Sequence, residues 1–476
     1  MTAYETIIGL EVHVQVDTRS KLFCGCKTDF GAPPNSQVCP VCMGYPGVLP
    51  VLNRKAVEFL VKTGLALGAK ISSFSKFDRK NYFYPDLPKN YQVSQFDMPL
   101  STGGGIPIEV DGKKKTIGLT RIHLEEDAGK LFHVEGASLV DLNRTGVPLM
   151  EMVSEPDIRN PEEAFEYLRV LKQILQYLEV SNCNMEEGSL RCDANVSIRP
   201  EGENKFGTKV EIKNLNSFSN VRKALAYEVK RQTQMCQSGE RIIQETRQWD
   251  ANEEKTVSMR SKESAHDYRY FPEPDLVPMV LEAALIEKIR QEIPELPALR
   301  KERFMRDYKL PAYDADVLTA SRGLADYFER SVKLFADPKS VSNWIMSELL
   351  AHLNEAKVDI AKSPVTPENL AGMLELIKSG TISGKIAKDL FQRMFQTGQP
   401  PELIVKEQGL TQISDESGII GVVQEVLKES PSVVADFKGG KMAALGFLVG
   451  AVMKKTKGKA NPQVVNKLLK EEIAKQ

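Results

Sequence analysis

Between residues 7 and 17 apolar and polar side chains alternate. Ile8, Leu10, Val12, Val14 and Val16 fall on one face, and Gly9, Glu11, His13 and Gln15 on the other. A period of two is that of a strand with one buried face. The pattern returns at Arg121–Glu125, where Ile122 and Leu124 oppose Arg121, His123 and Glu125. It returns again at Leu190–Ile198, where Leu190, Cys192, Ala194, Val196 and Ile198 oppose Arg191, Asp193, Asn195 and Ser197. In Thr208–Lys213, Val210 and Ile212 oppose Lys209, Glu211 and Lys213. Four strands that each place an acid on the polar face, often beside Arg, Lys or His, predict a curved antiparallel sheet. Its concave side is expected to be lined with carboxylates and cations.

Helix signals separate and follow these strands. Asn53 is placed to cap a helix running to about Leu67. Asn160-Pro161-Glu162-Glu163 combines a cap, a proline at the first position and a Glu at the third, and opens a helix to about Leu178. Prolines at 272, 274, 278, 294 and 297 then mark a domain boundary. Beyond it the strand pattern ends, and segments near 323–336, 340–353, 368–379, 384–396, 417–428, 440–455 and 463–475 read as helices. Thr366-Pro367 and Gly380 cap one of them at its two ends.

Composition narrows the class. A chain of 476 residues is expected to hold roughly two to four domains at ~100–200 residues each, and 42% hydrophobic with 27% charged residues is ordinary for a soluble protein. A net charge of −1 does not advertise nucleic-acid binding, so such contact needs a local basic patch. One is present: residues 437–476 hold nine Lys against two acids, densest at Lys454–Lys459, which suits an RNA phosphate backbone. The first residues have neither a basic nor an apolar segment of a secretory signal. The longest apolar stretch, Met442–Met453, has 12 residues and two glycines, short of the ~18–20 needed to span a bilayer. A cytoplasmic protein without membrane contact is expected.

Candidate chemistry clusters in three places. Cys24-x-Cys26 and Cys39-x₂-Cys42 are two thiol pairs on two turns, the donor set of a structural, four-coordinate Zn²⁺ site. Cys183, Cys192 and Cys236 are isolated. Arg121–Lys130 gathers His123, Glu125, Glu126 and Asp127 at a strand end, a set that offers carboxylate oxygens of the kind that hold Mg²⁺ and groups that can accept protons. Glu126 alternates to the opposite face from Glu125 unless a bulge re-aims it. Phe77–Asp86 and Lys89–Gln95 interleave aromatics with Arg79, Lys80 and Lys89, suited to a nucleotide or an RNA end. Gly103–Gly105 joins strands and is a poor phosphate cradle, and no G-x-x-x-x-G-K-[ST] occurs. ATP, if used, is held by another design.

Several motifs are more specific. Gly9-Leu-Glu-Val-His-Val14, Tyr45-Pro-Gly-Val-Leu-Pro50, Phe77–Pro85, Leu124–Lys130, Met185–Asp193, Asp267–Pro274, Gly446–Gly450 and Ala460–Gln463 resemble the B subunits of the GatCAB-type aspartyl/glutamyl-tRNA amidotransferases, and the likeness runs over essentially the whole chain. The resemblance implies an α+β fold: an antiparallel-sheet cradle related to glutamine synthetase over residues 1–292 with a zinc hairpin at 24–42, a helical domain over 293–405 and a helical tRNA-binding tail over 406–476. It implies a reaction in which ATP phosphorylates the side-chain carboxylate of Glu-tRNA(Gln) or Asp-tRNA(Asn) and ammonia displaces the phosphate, giving Gln-tRNA(Gln) or Asn-tRNA(Asn).

Under that resemblance the Mg²⁺ ligand candidates are Glu11, His13, Glu125, Glu126, Asp193 and Glu211, with Glu125 and Glu126 also candidate catalytic groups. Arg191, Lys209 and Lys213 are candidates for neutralising phosphate charge. Lys80 and Lys89 are candidates for phosphate contact or for ushering ammonia. With five His and no Cys or Ser in a recognisable glutaminase setting, ammonia is expected from an amidase A subunit within a heterotrimer that includes a small C subunit. Some members of the family lack the four cysteines, so zinc is expected to be structural. Rival readings are a free-standing ATP-dependent carboxylate–ammonia ligase and a non-catalytic zinc and tRNA-binding scaffold.

Overall fold

The computed structural model describes residues 3–259, 268–410, 416–456, 460 and 462–475. The chain divides after Leu296 into two compact units. His266 and Asp267 of the aromatic motif, Lys457–Lys459 of the basic run and Asn461 lie outside the described residues.

The first unit is α+β. Its main elements are β1 (Tyr4–Gln15), α1 (Arg54–Ala66), β2 (Asp78–Asn81), β3 (Tyr91–Ser94), β4 (Lys113–Glu126), β5 (Pro148–Ser154), α2 (Pro161–Tyr177), β6 (Leu190–Pro200), β7 (Val210–Lys213), α3 (Phe218–Gln237), β8 (Glu245–Asp250) and β9 (Lys255–Ser258). The large sheet runs β9-β8-β7-β6-β1-β5-β4, then the short strands Ser101–Thr102 and Lys70–Ile71, with Gly105–Val110 pairing β4 as a hairpin. β1 sits centrally, and the alternation along it explains why: Ile8, Leu10, Val12 and Val14 are all buried. Burying side chains of this size contributes about 1.5–3 kcal/mol each. Leu168, Leu171 and Leu175 of α2 and Val221 and Leu225 of α3 belong to the same core, so the two helices cover the apolar face and leave the polar face free.

The helix starts follow from their caps. Asn53 Oδ1 accepts from the amides of Lys55 (2.9 Å) and Ala56 (3.3 Å). Asn160 Oδ1 accepts from the Glu163 amide at 2.8 Å, and Glu163 Oε2 accepts in return from the Arg159 amide at 2.9 Å. The bonds from Lys55, Ala56 and Glu163 satisfy amides that the first turn leaves without an intrahelical partner, and the bond from Arg159 fixes the residue ahead of the cap.

The expectation of an antiparallel sheet needs one correction. β7 and β8 are parallel, Val210 opposite Glu245 and Lys213 opposite Gln248, whereas the other pairings are antiparallel. A parallel neighbour requires a crossover, and α3 supplies it. The strand expected from Thr208 begins at Val210, which leaves Lys209 exposed before it.

In the second unit the described residues are helical. One core gathers Phe304, Phe328, Leu349, Leu370, Leu390 and Phe391, and a second gathers Val423, Leu448, Val452 and Leu469. Thr366 Oγ1 caps the helix Pro367–Lys378 through the Asn369 amide (3.2 Å), and Gly380 follows it at φ +72°. The segment expected as 340–353 is Pro338–Trp344 and Leu350–Ala356 joined by a π-helical turn at Ile345–Leu349. Short helices at Pro297–Asp307, Ala312–Leu318, Pro401–Gln408 and Pro431–Lys438, and Ala283–Gln291 near the end of the first unit, carry too few turns for a clear period. No helix among the described residues is long and apolar enough to cross a membrane.

Candidate active site

On the polar face of the sheet one cross-strand row reads His123 (β4), Glu151 (β5), His13 (β1) and Arg191 (β6), each directly opposite the next. Residues opposite one another in adjacent strands bring their side chains together. His13 Nε2 lies 3.4 Å from Glu151 Oε2, 3.6 Å from Glu11 Oε1 and 3.7 Å from Glu125 Oε1. His123 Nε2 lies 3.6 Å from Glu151 Oε2 and 3.7 Å from Glu125 Oε2. Glu11 is opposite Asp193, and Lys213 Nζ is 3.0 Å from Asp193 Oδ2 and 3.2 Å from Glu211 Oε1. Side-chain exposure rises along this surface from 3% at His123 and Glu125 through 17% at His13 to 34% at Glu11. The cluster therefore opens toward Glu11, Asp193 and Lys213.

The electrostatics are those of a concentrated anionic site. Burial works against a charged His13, but the hydrogen bond with Glu151 and the charges of Glu125, Glu151 and Glu11 outweigh it and raise the imidazole to about 9. Burial likewise opposes ionisation of Glu151, and His13, His123 and Lys80 overcome it and hold the carboxyl at about 2. Glu125 is lowered too, its burial overcome by the His123 hydrogen bond, Lys80 and His13. Glu11, at the open end, goes the other way, because burial and the charge of Glu151 disfavour a further carboxylate. Desolvation and neighbouring charge together set these directions.

The flanks are cationic and aromatic. Lys80 of β2 lies over the rings of Tyr268 (5.0 Å) and Tyr82 (5.8 Å). Burial disfavours its charge, yet Glu125, Tyr270 and Glu151 raise its pKa. Tyr82, Tyr268, Tyr270 and Phe96 form a chain of ring contacts, Phe96 stacking on Tyr270 at 4.1 Å. Arg79 fastens this segment: Phe271 pairs with Arg79 in the sheet, and the guanidinium donates to Glu273 at 2.8 and 2.7 Å. On the far side Arg191 is 2.9 Å from Asp127 Oδ1, and Gln15 Nε2 donates to Asp127 Oδ2 at 2.7 Å.

Glu11, His13, Glu125, Asp193, Glu211, Arg191, Lys213 and Lys80 thus surround one surface. Glu126 does not join them. No bulge occurs at its position, since Pro148 opposes Glu126 and Leu149 opposes Glu125 in continuous register. Its carboxylate points to the other face, where Lys89 Nζ donates at 2.7 Å to Oε1 and the Val93 amide donates at 2.9 Å. Burial raises the Glu126 carboxyl despite the opposing charge of Lys89. Lys89 is taken up in the same pair, and exposed Lys209 lies outside the cluster.

Glu151 is the residue that the sequence pattern did not single out, and His123 is the one it left outside the ligand set. The available signal was a lone carboxylate inside the apolar run Leu149–Val153. The donor atoms of Glu11, His13 and Glu151, and of His123, Glu125 and Glu151, lie within 4.8 Å of one another. Carboxylate oxygens dominate this set and leave negative charge in excess, which fits a hard divalent cation such as Mg²⁺. The four Sγ atoms of Cys24, Cys26, Cys39 and Cys42 are also within 4.8 Å of one another. The Cys24 thiol, donating to Cys42, holds the Cys42 thiol well below the usual range. Four convergent thiols fit Zn²⁺.

Residues 6–287 match the family model described as the GatB/GatE catalytic domain, and residues 326–473 match the GatB domain. The chain is 58% identical to the B subunit of the aspartyl/glutamyl-tRNA(Asn/Gln) amidotransferase of Carboxydothermus hydrogenoformans, over 100% of both chains. It is 59% identical to the protein of the same name from Moorella thermoacetica, over 99% of this chain and 100% of the relative. The Brevibacillus brevis counterpart is 58% identical over 99% of each.

Proposed function

The chain belongs to the GatB family, and from that premise we propose that the row His123–Glu151–His13–Arg191 marks the centre at which ATP activates, and ammonia amidates, an aminoacyl group on tRNA. The substrates are Glu-tRNA(Gln) and Asp-tRNA(Asn), and the products are Gln-tRNA(Gln) and Asn-tRNA(Asn). The observation that carries the reading is the convergence of Glu11, His13, Glu125 and Glu151 within hydrogen-bonding and ion-pairing reach on one open sheet face.

A carboxylate is a poor acceptor for ammonia, because oxide is not a leaving group. Transfer of the γ-phosphoryl of ATP to a side-chain oxygen, with release of ADP, turns that oxygen into part of a leaving phosphate. The nitrogen lone pair then attacks the acyl carbon, the carbon–oxygen bond to phosphate breaks, and the nitrogen gives up a proton. Glu11, His13, Glu125 and Glu151, with Asp193 and Glu211 at the open end, are the residues we assign to Mg²⁺. When bound, Mg²⁺ would supply positive charge that offsets the charge of the phosphate groups. Lys80, Arg191 and Lys213 border the same surface and supply positive charge to the transferring group, where fixed charges are worth most. Lys209, exposed ahead of β7, extends this charge outward.

Glu126 and Lys89 are assigned to the ammonia side. The ammonia itself comes from a glutaminase A subunit, joined with a small C subunit in a heterotrimer; the relatives are named as one subunit of an amidotransferase, which supports an assembly of several chains. Residues 1–292 form the catalytic domain, whose open sheet we relate to the cradle of glutamine synthetase. Residues 293–405 form the helical domain, and the lysine-rich 406–476 faces the tRNA backbone. The four cysteines hold a structural Zn²⁺, and the tRNA and ATP substrates place the chain in the cytoplasm.

The test is formation of glutaminyl-tRNA(Gln) from glutamyl-tRNA(Gln), ATP and ammonium chloride, without glutamine, by this chain copurified with its A and C partners. Ammonium bypasses the glutaminase, so product is expected with ADP release. Equal product from the partners without this chain would overturn the assignment.

A further inference from the structure

Lys21 is fully buried, which is rare for a lysine without a paired anion. Among the described residues no carboxylate lies within ion-pair distance of its ammonium. What Nζ does meet is the Cys42 sulfur at 3.5 Å and the Leu142 carbonyl at 3.3 Å. Its backbone amide donates to the Cys26 carbonyl at 3.0 Å. One residue therefore ties both cysteine turns together, Cys26 through its main chain and Cys42 through its side chain. The stem is confined as well: a Cβ at Gly146, which sits at φ +81°, would come within 3.4 Å of Lys21 Cδ and 3.3 Å of Phe23 Cζ.

We propose that Lys21 is the counter-charge and positioning residue of the four-cysteine zinc centre, its ammonium hydrogen-bonding the Cys42 sulfur from outside the ligand shell. The inference rests on the zinc reading given above. Four thiolates around a divalent ion leave two excess negative charges in a partly buried pocket. A buried ammonium and a buried anionic centre each carry a desolvation cost that the other offsets. An N–H donor also draws electron density from the sulfur it touches. The Cys42–zinc bond then becomes less prone to attack by electrophiles, and the ligand is fixed in orientation. Residues that orient ligands in this way typically change metal retention when replaced.

The experiment uses the full-length chain as wild type, Lys21→Met and Lys21→Arg, with zinc content measured by mass spectrometry and zinc release timed against an excess of chelator. Wild type is expected to carry one zinc. Lys21→Met, which keeps the apolar stem and loses the charge, is expected to release it about 10–100 times faster, and Lys21→Arg to restore slow release. With Co²⁺ in place of zinc, the sulfur-to-metal charge-transfer band of Lys21→Met is expected to shift to lower energy, a change that loss of packing alone does not produce. If Lys21→Met does not accumulate as a folded chain, Lys21→Gln takes the same measurements. Zinc release from the charge-free variants within twofold of wild type, from a chain that holds zinc, would overturn the role of Lys21. A wild-type chain without stoichiometric zinc would overturn the zinc reading and this inference with it.

Discussion

Glu151 and His13 stand directly opposite one another on adjacent strands, with Oε2 and Nε2 3.4 Å apart. Glu151 is also 3.6 Å from His123 on its other side, so one carboxylate joins two imidazoles across three strands. Replacing it by Gln keeps the shape and removes the charge. Divalent-ion binding to the full chain, followed by electron paramagnetic resonance of Mn²⁺, is expected to weaken about 10–100-fold in Glu151→Gln. Unchanged Mn²⁺ binding would take Glu151 out of the metal set.

Glu126 and Lys89 are a buried pair, with side-chain exposures of 0% and 7%. Removing one partner leaves an uncompensated charge in the interior, so Glu126→Gln is expected to destabilise the chain by about 3–5 kcal/mol. Replacing both, as Lys89→Met with Glu126→Leu, is expected to recover most of that loss. Chemical denaturation of wild type and the two variants measures it, and a double variant less stable than Glu126→Gln would show that the two residues do not depend on each other.

Arg79 and Glu273 give a pH signature. Burial alone would raise the Glu273 carboxyl, but the Arg79 hydrogen bond outweighs it and the folded-state pKa is lowered. A depressed folded pKa means stability that is present above the unfolded value of about 4.3 and is lost as pH falls through the folded value. Glu273→Gln is expected to be about 1.5–3 kcal/mol less stable at neutral pH. It is also expected to lose less further stability than wild type on acidification below that value. Parallel losses in the two chains on acidification would contradict the assignment.

The cap of α2 is a local test of the scaffold behind the site. Asn160→Ala removes the acceptor of the Glu163 amide and is expected to cost about 1 kcal/mol, read as a lower denaturant midpoint with an unchanged slope. A shift indistinguishable from zero would mean that water replaces the cap without loss.

Much of this architecture is legible in the residue pattern. Period-two alternation placed Glu11, His13, His123, Glu125, Arg191 and Asp193 on one face, because one buried face of a sheet fixes the other. It placed Glu126 on the opposite face for the same reason, and the unbroken register at Pro148–Leu149 keeps it there. Glu151 was hidden because β5 lies between β1 and β4 and is apolar over most of its length. Its importance depends on which strands flank it, and alternation within one strand does not carry that. The parallel β7–β8 pair was hidden likewise, since it is decided by where α3 returns the chain. Lys89 reads as a candidate for phosphate contact or for ushering ammonia until the fold brings Glu126 beneath it.

The carboxylate–imidazole row is the proposed seat of the ATP-dependent step. The direct measurement is ammonium-supported conversion of glutamyl-tRNA(Gln) by the full complex carrying Glu151→Gln, with tRNA binding followed alongside. A loss of at least about 10²-fold is expected in glutaminyl-tRNA formation and in tRNA-dependent ADP release, with tRNA binding unchanged. A variant that converts its substrate within twofold of the wild-type rate would show that the chemistry happens elsewhere.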